Sequence, residues 1–269
     1  MNSTDHRNSQ QVVMETRDLT KMFGGLTAVD TFDLQVRQGE ISSLIGPNGA
    51  GKTTVFNIVT GIYKPERGQV IFHGTDITGR RPDQIVEEGI ARTFQNIRLF
   101  PNMTCLENIM AGQHCRASSG LWSSIFRTRR QREEEAKVRA TAELRVRQVG
   151  LWESRDDLAK NIAYGSQRML EIGRALGTEP SLLVLDEPSS GLNAGETEHL
   201  MHFLKTLIRE EDLTILLIEH DMNVVMGISD RVTVMDEGGK IAEGRPKEIY
   251  DNDRVIEAYL GKNDDDGDA

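Results

Sequence analysis

Two groups of residues in this sequence have the types and spacing to do chemistry. Gly46-Pro47-Asn48-Gly49-Ala50-Gly51-Lys52-Thr53 fits the pattern GxxxxGK[ST] and directly follows the apolar run Ile41 to Ile45. That is the strand-to-helix setting a phosphate-cradling loop requires. Glycines let backbone N–H groups converge on phosphate oxygens, and the following helix adds the positive end of its dipole. Lys52 supplies a point charge for terminal phosphates, while Thr53, with Thr54 beside it, offers a hydroxyl to Mg²⁺. The second group is Asp186-Glu187, which ends the apolar run Ser181 to Leu185. Ligands of open α/β sheets bind at that carboxyl edge. Successive strand residues point to opposite sides, so the two acids cannot share one role. Asp186 suits Mg²⁺, directly or through water, and Glu187 suits orienting and deprotonating an attacking water. For the pair alone, two acids capping a strand in solvent is the competing reading.

These groups need a scaffold, and the chain can build one. Its 269 residues, 38% hydrophobic and 28% charged, suffice for one substantial core with a smaller lobe. A net charge of −10 and a pI near 5.2 argue against nucleic acid as the principal partner, because a phosphate backbone repels such a field. Cys105 and Cys115 are too few for a disulfide framework, which fits a reducing compartment and buried free thiols. No apolar run approaches the roughly 20 residues of a membrane span, and the polar start lacks a signal-peptide core. The protein is therefore expected to be soluble or held at a membrane by others.

Ile41 to Ile45, Leu182 to Leu185, Ile215 to Ile218 and Val232 to Met235 alternate with amphipathic stretches, the pattern of a parallel sheet covered by helices. The expected fold class is α/β, with a nucleotide-binding core over residues 11–95 and 161–262. Residues 96–160 lack β-like runs and read as an inserted helical subdomain. Residues 1–10 and the acidic tail 263–269 are too polar to order. Thr104 with Glu107 predicts a capping box and a helix from Cys105. Val138, Ala142, Val146 and Val149 form one helical stripe that Gly150 can end. Glu237-Gly238-Gly239-Lys240 reads as a hairpin turn. His199 and His202 share a helical face without a third ligand and read as surface residues.

A phosphate loop and an acid pair would also suit a nucleotide kinase or a GTPase, so further residues decide. Ala163-Tyr164-Gly165-Ser166-Gln167-Arg168, shortly before the Asp186 strand, resembles the LSGGQ signature of ABC ATPases. Gln95 in Arg92-Thr93-Phe94-Gln95 is similar to that family's Q-loop glutamine, His220 in Ile218-Glu219-His220-Asp221 to its switch histidine, and Phe23 to its adenine-stacking aromatic. Ser190-Gly191-Leu192-Asn193 stands where the D-loop follows. The resemblance spans roughly residues 12 to 261. It implies a P-loop NTPase of ABC type, with a mostly parallel core sheet, an antiparallel β portion and a helical insertion. It also implies ATP and Mg²⁺ as cofactors, with Thr53, Gln95 and Asp186 on the metal and Glu187, His220 and Gln95 at the reaction. Each side chain is suited to its implied part, since a ring offers a π-face to any base, an imidazole can bond a phosphate and an amide can both accept and donate.

Three positions depart from the family pattern: Tyr164 is read at the signature serine, Ser166 at the second glycine and Asn193 at the D-loop aspartate. Gly165 and the start of a Ser166 to Gly177 helix can still offer N–H groups to phosphate. Such a family member owns half of each composite site: Tyr164, Gly165, Ser166 and Gln167 would face the neighbour's ATP. Unequal sites follow if the neighbour carries the orthodox segment. Phe23 to Leu26, Arg92 to Phe100, Ala163 to Gly165, Leu217 to Met222, Met226 to Arg231 and Ala258 to Gly261 resemble ATPases of branched-chain amino-acid importers, as does the stretch from Arg116 to Glu135. That resemblance implies a second, non-identical ATPase subunit, two transmembrane permease subunits, a solute-binding protein, and a place at the cytoplasmic face of the membrane. The competing readings are another cargo, such as a different amino acid or exported lipopolysaccharide, and a soluble ABC ATPase outside transport. The run Arg127 to Arg132 reads as a solvated loop, or as a contact to anionic lipid or an acidic face of membrane subunits.

Overall fold

Every apolar run singled out above is a strand buried on both faces. The computed structural model describes residues 11–113 and 129–260. One sheet is antiparallel, in the order β2 (Leu26–Arg37), β1 (Val12–Phe23), β4 (Arg67–Phe72), β5 (Thr75–Asp76). The other runs β10 (Gly239–Gly244), β9 (Arg231–Asp236), β3 (Ile41–Ile45), β8 (Thr214–Ile218), β7 (Leu182–Asp186), β6 (Ile90–Arg92). All its pairings are parallel except β10 with β9. Those two are joined by Glu237-Gly238, both at positive φ (45° and 86°), as a two-residue turn matched to strand twist demands.

Strand periodicity divides the core. Leu183, Leu185, Ile215 and Leu217 face one side, where Ile109, Val146, Leu170 and Leu204 cover them. Their neighbours Leu182, Val184, Leu216 and Ile218 face the other, packed with Leu19, Phe32, Phe56 and Phe72. The helices are α1 (Lys52–Val59), α2 (Pro82–Glu88), α3 (Cys105–Gln113), α4 (Arg129–Gln148), α5 (Tyr164–Leu176), α6 (Ala194–Glu210), α7 (Met222–Ile228), α8 (Pro246–Tyr250) and α9 (Asp253–Leu260). Ile58 and Val59 of α1 are buried.

Among the described residues no strand lies between β6 and β7, and the helices there pack onto α5. The capping box forms: Thr104 N–H donates to Glu107 Oε2 at 2.8 Å, and Glu107 N–H to Thr104 Oγ1 at 3.1 Å. Ala142, Val146 and Val149 are buried, Val138 is half-buried, and Gly150 ends the helical stripe at φ +75°. Helix α5 starts at Tyr164, two residues before the expected Ser166, because Ala163 is extended and already serves as its N-cap. Cys115 and most of the 116–135 stretch lie outside the described residues; of the basic run, residues 127 and 128 do too, while Arg129–Arg132 open α4. No helix among the described residues is long and apolar enough to cross a membrane.

Two measurements check this packing. Burial pushes the Cys105 thiol up to about 11, with nearby Asp157 adding to the rise. Almost no thiolate therefore exists at about pH 8, and iodoacetamide should modify the Cys105 peptide only after unfolding, as read by mass spectrometry. Thr104→Ala removes the cap of α3 and should cost about 1 kcal/mol in urea denaturation.

Candidate functional site

The phosphate loop is a backbone device. Gly46, Gly49 and Gly51 sit at φ +151°, +81° and +102°. A Cβ at Gly46 would lie 2.0 Å from Met235 O, and one at Gly51 2.3 Å from Ala28 O. Both glycines are thus required by neighbouring backbone. Gly49 has nothing within 4 Å of such a Cβ, so its side faces open space. Pro47 is half-buried, Asn48 exposed and Ala50 buried. Lys52 opens α1 with only 8% of its surface exposed, and its Nζ donates to Gly46 O (2.7 Å) and Pro47 O (2.9 Å). Burial pulls its pKa down, and the carboxylates of Glu187 and Asp186 partly offset that. A phosphate anion would act in the same sense as those carboxylates. Thr53 is exposed and Thr54 half-buried on the next positions of the helix.

Asp186 and Glu187 do separate, though strand alternation is only part of the cause. Asp186 ends β7, 5% exposed, and its Oδ2 accepts from Arg92 Nη2 at 2.7 Å. Arg92 is anchored in turn by Asn57 Oδ1 (2.7 Å) and Thr60 Oγ1 (2.9 Å). Asp186 Oδ1 takes no hydrogen bond among the described residues, which leaves one carboxylate oxygen for a cation. That fits Mg²⁺ held by few protein ligands plus phosphates. Among the described residues there is no cluster of three His, Cys, Asp or Glu that would make an all-protein metal site. Glu187 leaves the strand at φ +47°, a left-handed conformation held by its N–H on Ile218 O at 2.9 Å. The turn aims Glu187 Oε2 at two of the expected site residues: Gln95 Nε2 donates to it at 2.9 Å, and His220 Nδ1 lies 3.7 Å away.

Phe23 closes β1 at 42% exposure rather than in a core. Tyr63 meets its ring edge-on at 5.3 Å, and Lys21 Nζ stands 5.3 Å from the ring centre. The Tyr164 to Gln167 group forms the first turn of α5 and leans on the loop after β7. Tyr164 Oη donates to Ser190 O at 3.3 Å, and Gly165 is so close to Glu196 that a Cβ would lie 2.5 Å from Oε1. Gln167 Nε2 bonds Ile162 O at 3.0 Å, and Ser166 is half-buried. No side chain caps the start of α5, since Ala163 holds the cap position. Its first N–H groups are therefore available to a ligand. Asn193 acts locally, capping α6 in a box with Glu196 (2.9 and 3.0 Å). His199 and His202 are exposed on α6.

Comparison with known proteins places the chain in a family. A family model described as ABC transporter matches residues 29–190, and one described as branched-chain amino acid ATP-binding cassette transporter matches 240–265. The chain is 45% identical over 252 residues to the high-affinity branched-chain amino acid transport ATP-binding protein LivG of Salmonella typhimurium, covering 94% of this chain and 99% of that one. It is 44% identical over 250 residues to the corresponding protein BraF of Pseudomonas aeruginosa, covering 93% and 98%. Among solved structures it resembles a nucleotide-free ATP-binding cassette from an ABC transporter, with TM-score 0.82 and 33% identity over 94% of this chain and 100% of that one.

Sequence reading passes over Arg92 and Glu219, although each adjoins a motif it uses. Glu219 is fully buried, with Oε1 accepting from Ser189 N–H (2.9 Å) and Oε2 from His220 N–H (3.3 Å). It joins the end of β8 to the turn that carries Glu187. A carboxylate closing an apolar strand is the signal that could have found it. Glu219→Ala orphans both N–H groups and should cost about 1–3 kcal/mol for each left unsatisfied, read from the urea midpoint. Glu219→Gln, which keeps one acceptor oxygen, should lose clearly less.

Proposed function

The chain belongs to the ABC transporter family of ATP-hydrolysing subunits, and on that premise we propose that it energises an importer of branched-chain amino acids. The observation that carries the catalytic reading is the meeting of Gln95 and His220 at Glu187 Oε2. The cargo reading is supported by the relatives and by the match over residues 240–265.

In the proposed reaction the loop N–H groups from Gly46 to Thr54 and Lys52 Nζ bind the β- and γ-phosphates, and Phe23 offers its ring to adenine. Thr53, Asp186 and Gln95 would hold Mg²⁺, which supplies charge neutralisation between the phosphates. Glu187 takes a proton from water as its oxygen attacks the γ-phosphorus and the bond to the β-phosphate oxygen breaks. Gln95 orients that water, and His220 bonds the γ-phosphate. The open start of α5, Tyr164 to Gln167, completes the site of a neighbouring subunit. ATP bridges the two halves, and release of phosphate removes the contacts that favour closure. The partners in this reading are a second, non-identical ATPase subunit, two transmembrane permease subunits and, through them, a solute-binding protein, with the chain at the cytoplasmic face of the membrane.

Glu187→Gln should still bind ATP within about twofold while turnover falls about 10²- to 10⁴-fold, measured by nucleotide titration and phosphate release. Near-normal turnover would remove Glu187 from the base role. In the reconstituted complex with its binding protein, leucine, isoleucine or valine should stimulate turnover. Absence of stimulation by all three would overturn the cargo assignment.

A further inference from the structure

One buried ion pair takes no part in the reaction above. Arg168, one turn into α5, is 0% exposed and Glu171 is 1% exposed. Arg168 Nη1 donates to Glu171 Oε2 and to Phe94 O, both at 2.9 Å, and Nη2 donates to Gln95 O at 2.8 Å. Glu171 Oε1 accepts from Arg98 N–H at 3.0 Å. The segment after β6 thus has three of its backbone groups satisfied by side chains of one helix. Gln95 is gripped by its carbonyl from α5, while its side chain reaches Glu187.

Stability alone does not account for such a pair. Well-packed apolar residues in place of a buried ion pair are often neutral or stabilising, whereas removing one partner is costly. Helix α5 already buries Met169, Leu170, Ile172 and Leu176. What the pair adds is a fixed link between the loop facing this chain's own nucleotide and the helix whose open start faces the neighbour's. The planar guanidinium fork suits this, because it holds two carbonyls and a carboxylate at once, which an ammonium on a flexible stem cannot do rigidly.

We propose that Arg168, braced by Glu171, is a positioning residue that makes the 94–98 loop and helix α5 move as one body. Nucleotide bound at one composite site then sets the helix this chain offers to the other. The inference rests on the composite-site reading above.

The test uses the full chain and hydrogen exchange with and without the Mg²⁺ complex of AMP-PNP. In the wild-type chain, protection should change together over the 94–98 loop and the first turn of α5. In Arg168→Lys the loop should still respond and α5 should not. AMP-PNP affinity should stay within about twofold, and kcat in the assembled transporter should fall about tenfold at unchanged KM. Arg168→Met with Glu171→Met removes the charges together, so it tests the link in a protein whose buried charge is not orphaned. It should show the same uncoupling, with a melting temperature lowered by the three backbone groups left without a side-chain partner. Coupled protection surviving in either variant, or no joint response in the wild type, overturns the proposal. The function reading is judged separately, by phosphate release and amino-acid stimulation in the wild-type complex.

Discussion

The parallel register of β3, β8 and β7 is the constraint on which the site depends. Leu44 pairs with Ile218, and Ile218 pairs with Asp186. That alignment brings the phosphate loop after β3, the Asp186-Glu187 pair after β7 and the Glu219-His220 pair after β8 to one edge at one level. A slip of one residue would exchange the faces of each strand, moving Leu183 and Ile215 into the opposite core. Because both faces are filled with aliphatic side chains, the register is held from both sides. The chemistry inherits its alignment from apolar packing.

Among the described residues, charge at that edge is arranged so that no buried ion stands alone. Lys52 lies on carbonyl oxygens with Asp186 and Glu187 near it, Arg92 holds Asp186, and Glu219 receives two backbone donors. Such pairing is the condition under which buried charges persist, since desolvation would otherwise exceed the Coulombic gain. It also sets the two carboxylates apart. Asp186 is tied on one oxygen and so presents the other, while Glu187 is placed by a left-handed turn among groups that can orient water. The turn stores backbone strain at the point where position matters most.

Helix α5 is tied to its surroundings at its first two turns. The start of α5 leans on the loop after β7 through Tyr164, on α6 through Gly165, and on the 94–98 segment through Arg168. Helix α5 is thereby fastened both to the loop after β7 and to the 94–98 segment.

Features written in consecutive residues are legible in the sequence. The phosphate loop, the four buried strands, the Thr104-Glu107 cap, the Glu237-Gly238 turn and the Val138 to Val149 stripe are local patterns of period, cap and backbone freedom, and each stands where those patterns put it. The bonds that make a site of these parts join residues far apart: Gln95 to Glu187 across 92 positions, Arg92 to Asp186 across 94, Arg168 to Phe94 across 74. No local period encodes such a pairing, because it exists only once strand order and helix docking have been chosen. Even Glu187, adjacent to a strand legible from its apolar run, takes its direction from the carbonyl of Ile218 on the next strand. The sequence by itself determined which groups were present and on which elements they ride. Tertiary structure alone decided which of them touch, since contact is a property of packed surfaces and register.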